Sequence, residues 1–220
     1  HGVRQVLATA ALAKSKKLCV GVGLQRHHSN AYIETVKRVQ DGAIGELQSA
    51  RVYWNSQGVW VRPRKPEQTE MEYQMRNWYY FTWLSGDHIV EQHIHNIDVI
   101  NWIKNAYPIK AQGVGGREVR KGKDYGEIFD HHYVEFEYQD GMRMHSMCRH
   151  MPNTESNISE HVLGTKGSAH LDETRLSRIE VPGQETWNFG VNPKIKRNTA
   201  TQDEHHHLFH AIRSGADYNE

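Results

Sequence analysis

Several large classes of protein are excluded by what this sequence lacks. It has two cysteines in 220 residues, Cys19 and Cys148. They form neither a disulfide framework nor a metal-ligand spacing, so both read as free thiols, with a lean to a reducing compartment. Charge of one sign is not in excess: Lys plus Arg number 27 and Asp plus Glu 26, for a net charge of +1. No basic block interleaves with aromatics, which argues against a nucleic-acid partner. No apolar run approaches the roughly 20 residues needed to span a bilayer, so no membrane role is expected. No signal peptide is visible. Phosphate-cradling glycine loops are missing as well. In Gly21-Val-Gly23 the third glycine position is taken by Arg26, and Gly113-Val-Gly115-Gly116 reads as a turn. Nothing resembles a Ser-His-Asp or Cys-His nucleophile.

Histidine is what the chain has in surplus, at sixteen, clustered at His27-His28, His93 and His95, His131-His132 and His205–His207. The length suits one large domain or one and a half smaller ones. Residues 3–17 read as an amphipathic helix, followed by Leu18–Gly23 as a short strand of the buried type. Asn30 can cap a second helix over 31–40, ended by Asp41-Gly42. From Gly45 the period changes to two, with Gln48, Ala50, Val52 and Trp54 alternating with Ser49, Arg51 and Tyr53. Residues 56–77 have no clean period and read as a long loop, followed by an aromatic linker, 78–84. In the C-terminal half, 129–138 and the return strand from Met142 flank Asp140-Gly141, a strong hairpin signal. Met142, Met144, Ser146 and Cys148 share one face of that return strand. A second hairpin spans His161–Leu171, and Thr201-Gln-Asp-Glu204 reads as a capping box for a helix to about Ser214.

The most informative segment is Gly86–Trp102, read with its flank as one helix over 87–104. Val90, Ile94, Ile97, Ile100 and Ile103 fall at helical spacing, while Glu91, His95 and Asp98 follow at steps of four and three and share one stripe. Burying a carboxylate and an imidazole costs free energy unless they are paired or do chemistry. Glu91 and His95 therefore read either as a proton-transfer pair or as a structural hydrogen-bonded pair. A metal site using His93 with them is disfavoured, because His93 and His95 point apart on a helix. Gln25 and Arg26 follow a strand end, where ligands gather in α/β domains; a solvated loop Arg is the alternative.

Three separated stretches resemble the glucose–fructose oxidoreductase / inositol dehydrogenase (Gfo/Idh/MocA) family. They are Val20–Arg26 with Tyr32 and Asp41–Glu46, the stripe Gly86…Glu91…His95…Asp98…Trp102, and Glu204-His205 through Ile212–Gly215. The stripe is similar to the family motif Gly-x(4)-Asp-x(3)-His-x(2)-Asp-x(3)-Trp, with Glu91 in place of the Asp. The run Trp78–Trp102 looks most like a subgroup of environmental bacteria, some of whose members carry twin-arginine export signals. The resemblance implies an N-terminal Rossmann domain binding NAD or NADP, and a C-terminal α+β domain that holds a sugar or cyclitol and builds the oligomer. It implies hydride transfer, assisted by the lysine of a Glu-Lys-Pro motif and by the motif histidine.

Neither the glycine fingerprint nor Glu-Lys-Pro is present, so both are expected before His1. Residues 1–28 are then expected to be a Rossmann remnant of one helix and one strand, with 29–220 as the C-terminal substrate-binding domain. The expected fold is α+β: an open, mostly antiparallel sheet with helices on one face. On the resemblance, His95 and Glu91 are the catalytic candidates. Arg26, Asp98 and Asn77 are the substrate-binding candidates, Gln25 and Arg26 lie near the nicotinamide, and no metal is expected. The parent is expected to be an NAD(P)-dependent sugar oxidoreductase, with this chain alone inactive. The alternatives are a metal-dependent sugar isomerase or hydrolase and a non-catalytic oligomerisation module. A homodimer or homotetramer through the sheet is expected, on the face bearing Tyr133, His145 and Arg149. The cytoplasm is the expected location, with periplasmic export through a twin-arginine signal as the alternative.

Overall fold

The computed structural model describes residues 2–172, 177–190 and 197–219. The chain divides into two compact units, one of residues 1–34 with 192–220 and one of residues 35–191. No helix among the described residues is long and apolar enough to cross a membrane.

In the first unit, helix α1 (Gly2–Ser15) has no buried residue. The strand expected over Leu18–Gly23 shrinks to one bridge, Val20 with Asn219. Apolar character alone does not make a strand; it needs a ladder partner, and this segment meets only one residue of one. Helix α6 (Ala200–Ser214) forms as expected but without the expected box. Its N-cap is Thr199, with no side-chain cap, and Thr201 lies inside the helix, where its carbonyl accepts from His205 Nδ1 at 2.7 Å.

Helix α2 (Asn30–Gln40) joins the first unit to the second, its buried Tyr32, Val36 and Val39 spaced four and three apart. The second unit is built on an eight-stranded sheet in the order β2-β3-β4-β1-β5-β6-β7-β8. The strands are β1 (Leu47–Ser56), β2 (Lys110–Gly116), β3 (His131–Glu137), β4 (Arg143–His150), β5 (Asn157–Gly164), β6 (Ser168–Leu171), β7 (Arg178–Glu180) and β8 (Trp187–Asn188). All neighbours pair antiparallel except β1 and β4, which run parallel. A parallel pair needs a crossover, and the chain between β1 and β4 supplies one: helices α3 (Glu70–Arg76), α4 (Thr82–Ser85) and α5 (Ile94–Lys104), then β2 and β3.

The period-two readings hold. Ala50 and Val52 on β1, and Met144, Ser146, Cys148 and His150 on β4, are buried on one face. That face receives α5, which packs on β1 and β5 through Ile97, Val99, Ile100 and Ile103. Each such buried side chain stabilises by roughly 1.5–3 kcal/mol. The other face shows Arg51, Tyr53, Tyr133, His145, Arg149 and His161, all exposed or half-buried. Hairpins turn where expected, at Asp140-Gly141 and at Gly164–Gly167.

Two expectations fail in the crossover. The loop read over 56–77 contains α3, begun by a complete capping box: Thr69 accepts from the Glu72 amide, and the Glu72 carboxylate accepts from the Thr69 amide. The helix read over 87–104 starts only at Ile94. Gly86, Asp87 and Gln92 have φ of +72°, +68° and +80°, which no α-helix passes through.

Candidate active site

The break before α5 is held from outside. The Asp87 carboxylate accepts from the amides of His88 (2.6 Å) and Phe129 (3.0 Å) and faces His132 Nε2 at 3.3 Å. Burial pushes this carboxyl up, but those hydrogen bonds outweigh it and hold it below the usual carboxylate range. The Gln92 amide oxygen accepts from His150 Nε2 at 3.1 Å. Left-handed backbone at Asp87 and Gln92 carries strain that surrounding contacts must hold in place, and such strain clusters at functional sites.

Behind the turn lies a buried histidine–arginine cluster. Arg120 is 3 % exposed and donates to the Phe129 carbonyl (2.7 Å) and to His150 Nδ1 (2.5 Å). A guanidinium only donates, so His150 Nδ1 accepts and its Nε2–H goes to Gln92. Arg120 also stacks over Tyr79 and Tyr80, 5.7 and 5.2 Å from the ring centres. Its loop is tied down by Asp130, whose carboxylate accepts from the Glu118, Val119 and Arg120 amides at 2.7, 2.6 and 2.9 Å. His88, fully buried, lies 3.7 Å from the His150 ring and reaches Tyr79 Oη (3.3 Å) and the Trp54 carbonyl (3.4 Å). Burial, with Arg120 nearby, holds His88 down to about 4 and His150 down to about 2, so both rings are neutral.

His95 sits in the first turn of α5, half-buried, its ring stacked against Trp54 at 5.9 Å and 29°. Asp98 follows three residues on and is also half-buried. The turn of α5 that carries them is pinned to the sheet on both sides. His93 Nε2 pairs with Ser146 Oγ at 2.7 Å, and Asn96 Nδ2 donates to the Glu160 carboxylate, all four residues being buried.

Glu91 lies in the turn before α5, so the expected single helical stripe of Glu91, His95 and Asp98 is not formed; only His95 and Asp98 share the helix. Burial raises the Glu91 carboxyl, against a backbone hydrogen bond from Gln92 that lowers it. Such a carboxyl keeps its proton to higher pH than usual.

Asn77 is fully buried and its amide is engaged: Oδ1 accepts from the Arg62 amide (2.9 Å), and Nδ2 donates to the Asp124 carbonyl (2.8 Å) and Tyr73 Oη (3.4 Å). It ties loops together and presents no free edge to a ligand. Gln25 and Arg26 lie in the other unit, in a short turn of 3-10 helix, Gln25–His28. Arg26 is 1 % exposed, with its guanidinium 5.2 Å from the Tyr32 ring. Both cysteines are free, and burial pushes Cys148 up, which keeps it an inert thiol. Among the described residues no group of three or more His, Cys, Asp or Glu is placed to hold a metal ion.

The aromatic segment 78–81 packs beside the buried histidine–arginine cluster, with the Tyr79 ring 6.0 Å from that of His150. It is not a linker: Tyr79, Tyr80 and Phe81 form a buried cluster with Tyr73 and Ile128. Gly126 has φ of +50°, and a Cβ there would run into the Tyr80 carbonyl. Gly126→Ala is therefore expected to destabilise the fold by about 2–4 kcal/mol, read as a lower urea midpoint at unchanged slope. An unchanged midpoint would show that this contact does not constrain the loop.

A family model described as the GFO/IDH/MocA C-terminal domain matches residues 32–170. No curated protein matches the chain. Among solved structures, an aldose-aldose oxidoreductase from Caulobacter crescentus, complexed with glycerol, is 18 % identical with a TM-score of 0.70, over 94 % of this chain and 57 % of its own. An oxidoreductase domain protein from Kribbella flavida is 17 % identical with a TM-score of 0.74, over 96 % and 61 %. A levoglucosan dehydrogenase in complex with NADH and levoglucosan is 16 % identical with a TM-score of 0.68, over 90 % and 58 %. These likenesses show a shared fold, and the chain spans less than two thirds of each of these structures.

Proposed function

The chain belongs to the GFO/IDH/MocA family, whose C-terminal domain its residues 32–170 match, and from that premise we propose that it is the substrate side of an NAD- or NADP-dependent oxidoreductase acting on a sugar, cyclitol or derivative. The observation that carries this reading is the start of α5, where His95 is held against Trp54 on a turn pinned by two buried polar pairs.

His95 is the general acid/base, taking the proton of a substrate hydroxyl as it is oxidised and returning it in reduction. Glu91 is the second proton-handling group, its carboxyl raised by burial. Asp98, on the same helix, orients the substrate, and Asn77 acts at one remove by tying the backbone at Arg62 to that at Asp124. Gln25 and Arg26 are assigned to the cofactor side.

A bound nicotinamide would supply or accept hydride at the substrate carbon. The described residues do not by themselves fit the dinucleotide: no glycine-rich turn joins a strand to a helix, and Arg26 is buried beside Tyr32. These 220 residues alone are accordingly expected not to turn over. The broad sheet face with Tyr133, His145 and Arg149 is proposed to pair with a second copy, as a homodimer or homotetramer. Against the metal-dependent alternative stands the pairing of His93 Nε2 with Ser146 Oγ.

The test is a panel of sugars and cyclitols with NAD and with NADP, using the protein as its source organism makes it, with and without a chelator. Reduced dinucleotide, formed equally with chelator, is expected. Turnover that needs no dinucleotide and is lost on chelation would overturn the reading.

A further inference from the structure

Gln92 is an unexpected residue for its backbone. It stands in the left-handed region, at φ +80°. Among the described residues that region is otherwise taken by glycine, asparagine and aspartate, with Lys17 as the other exception. Those three residue types adopt it at least cost, so the backbone alone gives no reason for a glutamine. The side chain supplies one, since its oxygen accepts from His150 Nε2 at 3.1 Å.

The backbone of Gln92 meets both proton-handling groups of the proposed site. Its amide donates to the Glu91 carboxyl. Its carbonyl accepts from the His95 amide at 3.1 Å. The start of α5 is fixed to the sheet from the other side, by His93 on Ser146 and Asn96 on Glu160. His95 is thus on the fixed side of the turn, and the torsions of Gln92 set where Glu91 stands relative to it.

The tether that holds those torsions has one polarity throughout. The Asp130 carboxylate fixes the Arg120 backbone through the amides of Glu118, Val119 and Arg120 itself. The Arg120 guanidinium, which only donates, fills His150 Nδ1 at 2.5 Å and leaves the ring N–H on Nε2. That N–H points at Gln92, so the amide oxygen, and not the amide nitrogen, must face it. Arg120, His150 and Gln92 all belong to the compact unit that carries α5.

We propose that Gln92 is a positioning residue which, held by the Arg120–His150 chain, sets the Glu91 carboxyl against the His95 ring for proton transfer. The proposal rests on the oxidoreductase reading for the roles of Glu91 and His95.

The test uses two substitutions in the protein as its source organism makes it. Gln92→Gly accepts the left-handed backbone and removes the tether. Gln92→Glu keeps the length and the acceptor oxygen. Gln92→Gly is expected to lower kcat about tenfold or more with KM within about twofold, the pattern of misplaced catalytic groups. Gln92→Glu should recover kcat to within about threefold of the parent. The His95 ring resonances, identified by their loss in His95→Ala, should move in Gln92→Gly and return in Gln92→Glu. Should Gln92→Gly not fold, Gln92→Asn takes its place, since asparagine tolerates the same backbone and is one methylene too short to reach His150. A merely structural tether would lower the urea midpoint but leave the kcat and ring resonances of the folded variant as in the parent, and that result would overturn the proposal. So would Gln92→Glu falling as far as Gln92→Gly. A parent-like kcat in His95→Ala removes the acid/base reading alone, and the ring resonances, which need no turnover, then decide whether Gln92 positions the pair.

Discussion

His95→Ala is expected to lower kcat for sugar oxidation by about 10²–10⁴-fold, the range that a positioned general acid/base supplies. KM should move far less, because the ring is assigned to proton transfer and not to substrate anchoring. The variant should fold. His95 is half-buried, and the polar anchors of its turn, His93 with Ser146 and Asn96 with Glu160, are untouched. Glu91→Gln keeps the shape and removes the titration, so it should lower turnover mainly on one limb of the pH profile. A His95→Ala protein with kcat within about twofold of the parent would remove the acid/base assignment.

Acid should unfold this protein through two buried histidines, His88 and His150. His88 and His150 are buried and held at about 4 and about 2, below the ordinary value of 6.5. Below 6.5 the unfolded chain binds protons that the native rings refuse, so their contribution is present above that pH and is lost as pH falls through the folded values. At pH 5 each ring should have cost about 2 kcal/mol relative to neutral pH. Arg120 lies against His150 and cannot shed its charge, so relaxation around the ring does not remove the effect. Urea unfolding between pH 7.5 and 5 measures it. The parent should lose stability steadily, and His88→Asn/His150→Asn, less stable at neutral pH, should lose much less. Equal slopes for the two would show that the protons go elsewhere. His161, also held low, adds a smaller part.

How much of this was readable before the structure depends on the range of the forces involved. Local patterns carried well: the period of two on β1 and β4, the Asp140-Gly141 turn, and the Asp41-Gly42 stop of α2. The Thr69-x-x-Glu72 box spells a helix inside a stretch otherwise without period, whereas Thr201-x-x-Glu204 has the same letters and no cap, since that helix begins before it. The break at Gln92 was not legible. Its partner is His150, far along the chain, which meets the Gln92 side chain. Arg120, Asp130, His88 and His150 carry no spacing that joins them, and an excess of histidine was the only sign. Strand register is settled by a hairpin turn for β5 with β6, but no local signal settles it for β1 with β4.

The central claim is that substrate binds at the first turn of α5. The position of a bound sugar, in a crystal of the source-organism protein with its reduced dinucleotide, tests it most directly. The account predicts a sugar hydroxyl at hydrogen-bond distance, about 3 Å, from the His95 ring, with Trp54 behind that ring and Asp98 beside it. A sugar seated elsewhere, with His95 closed off from it, would contradict the account.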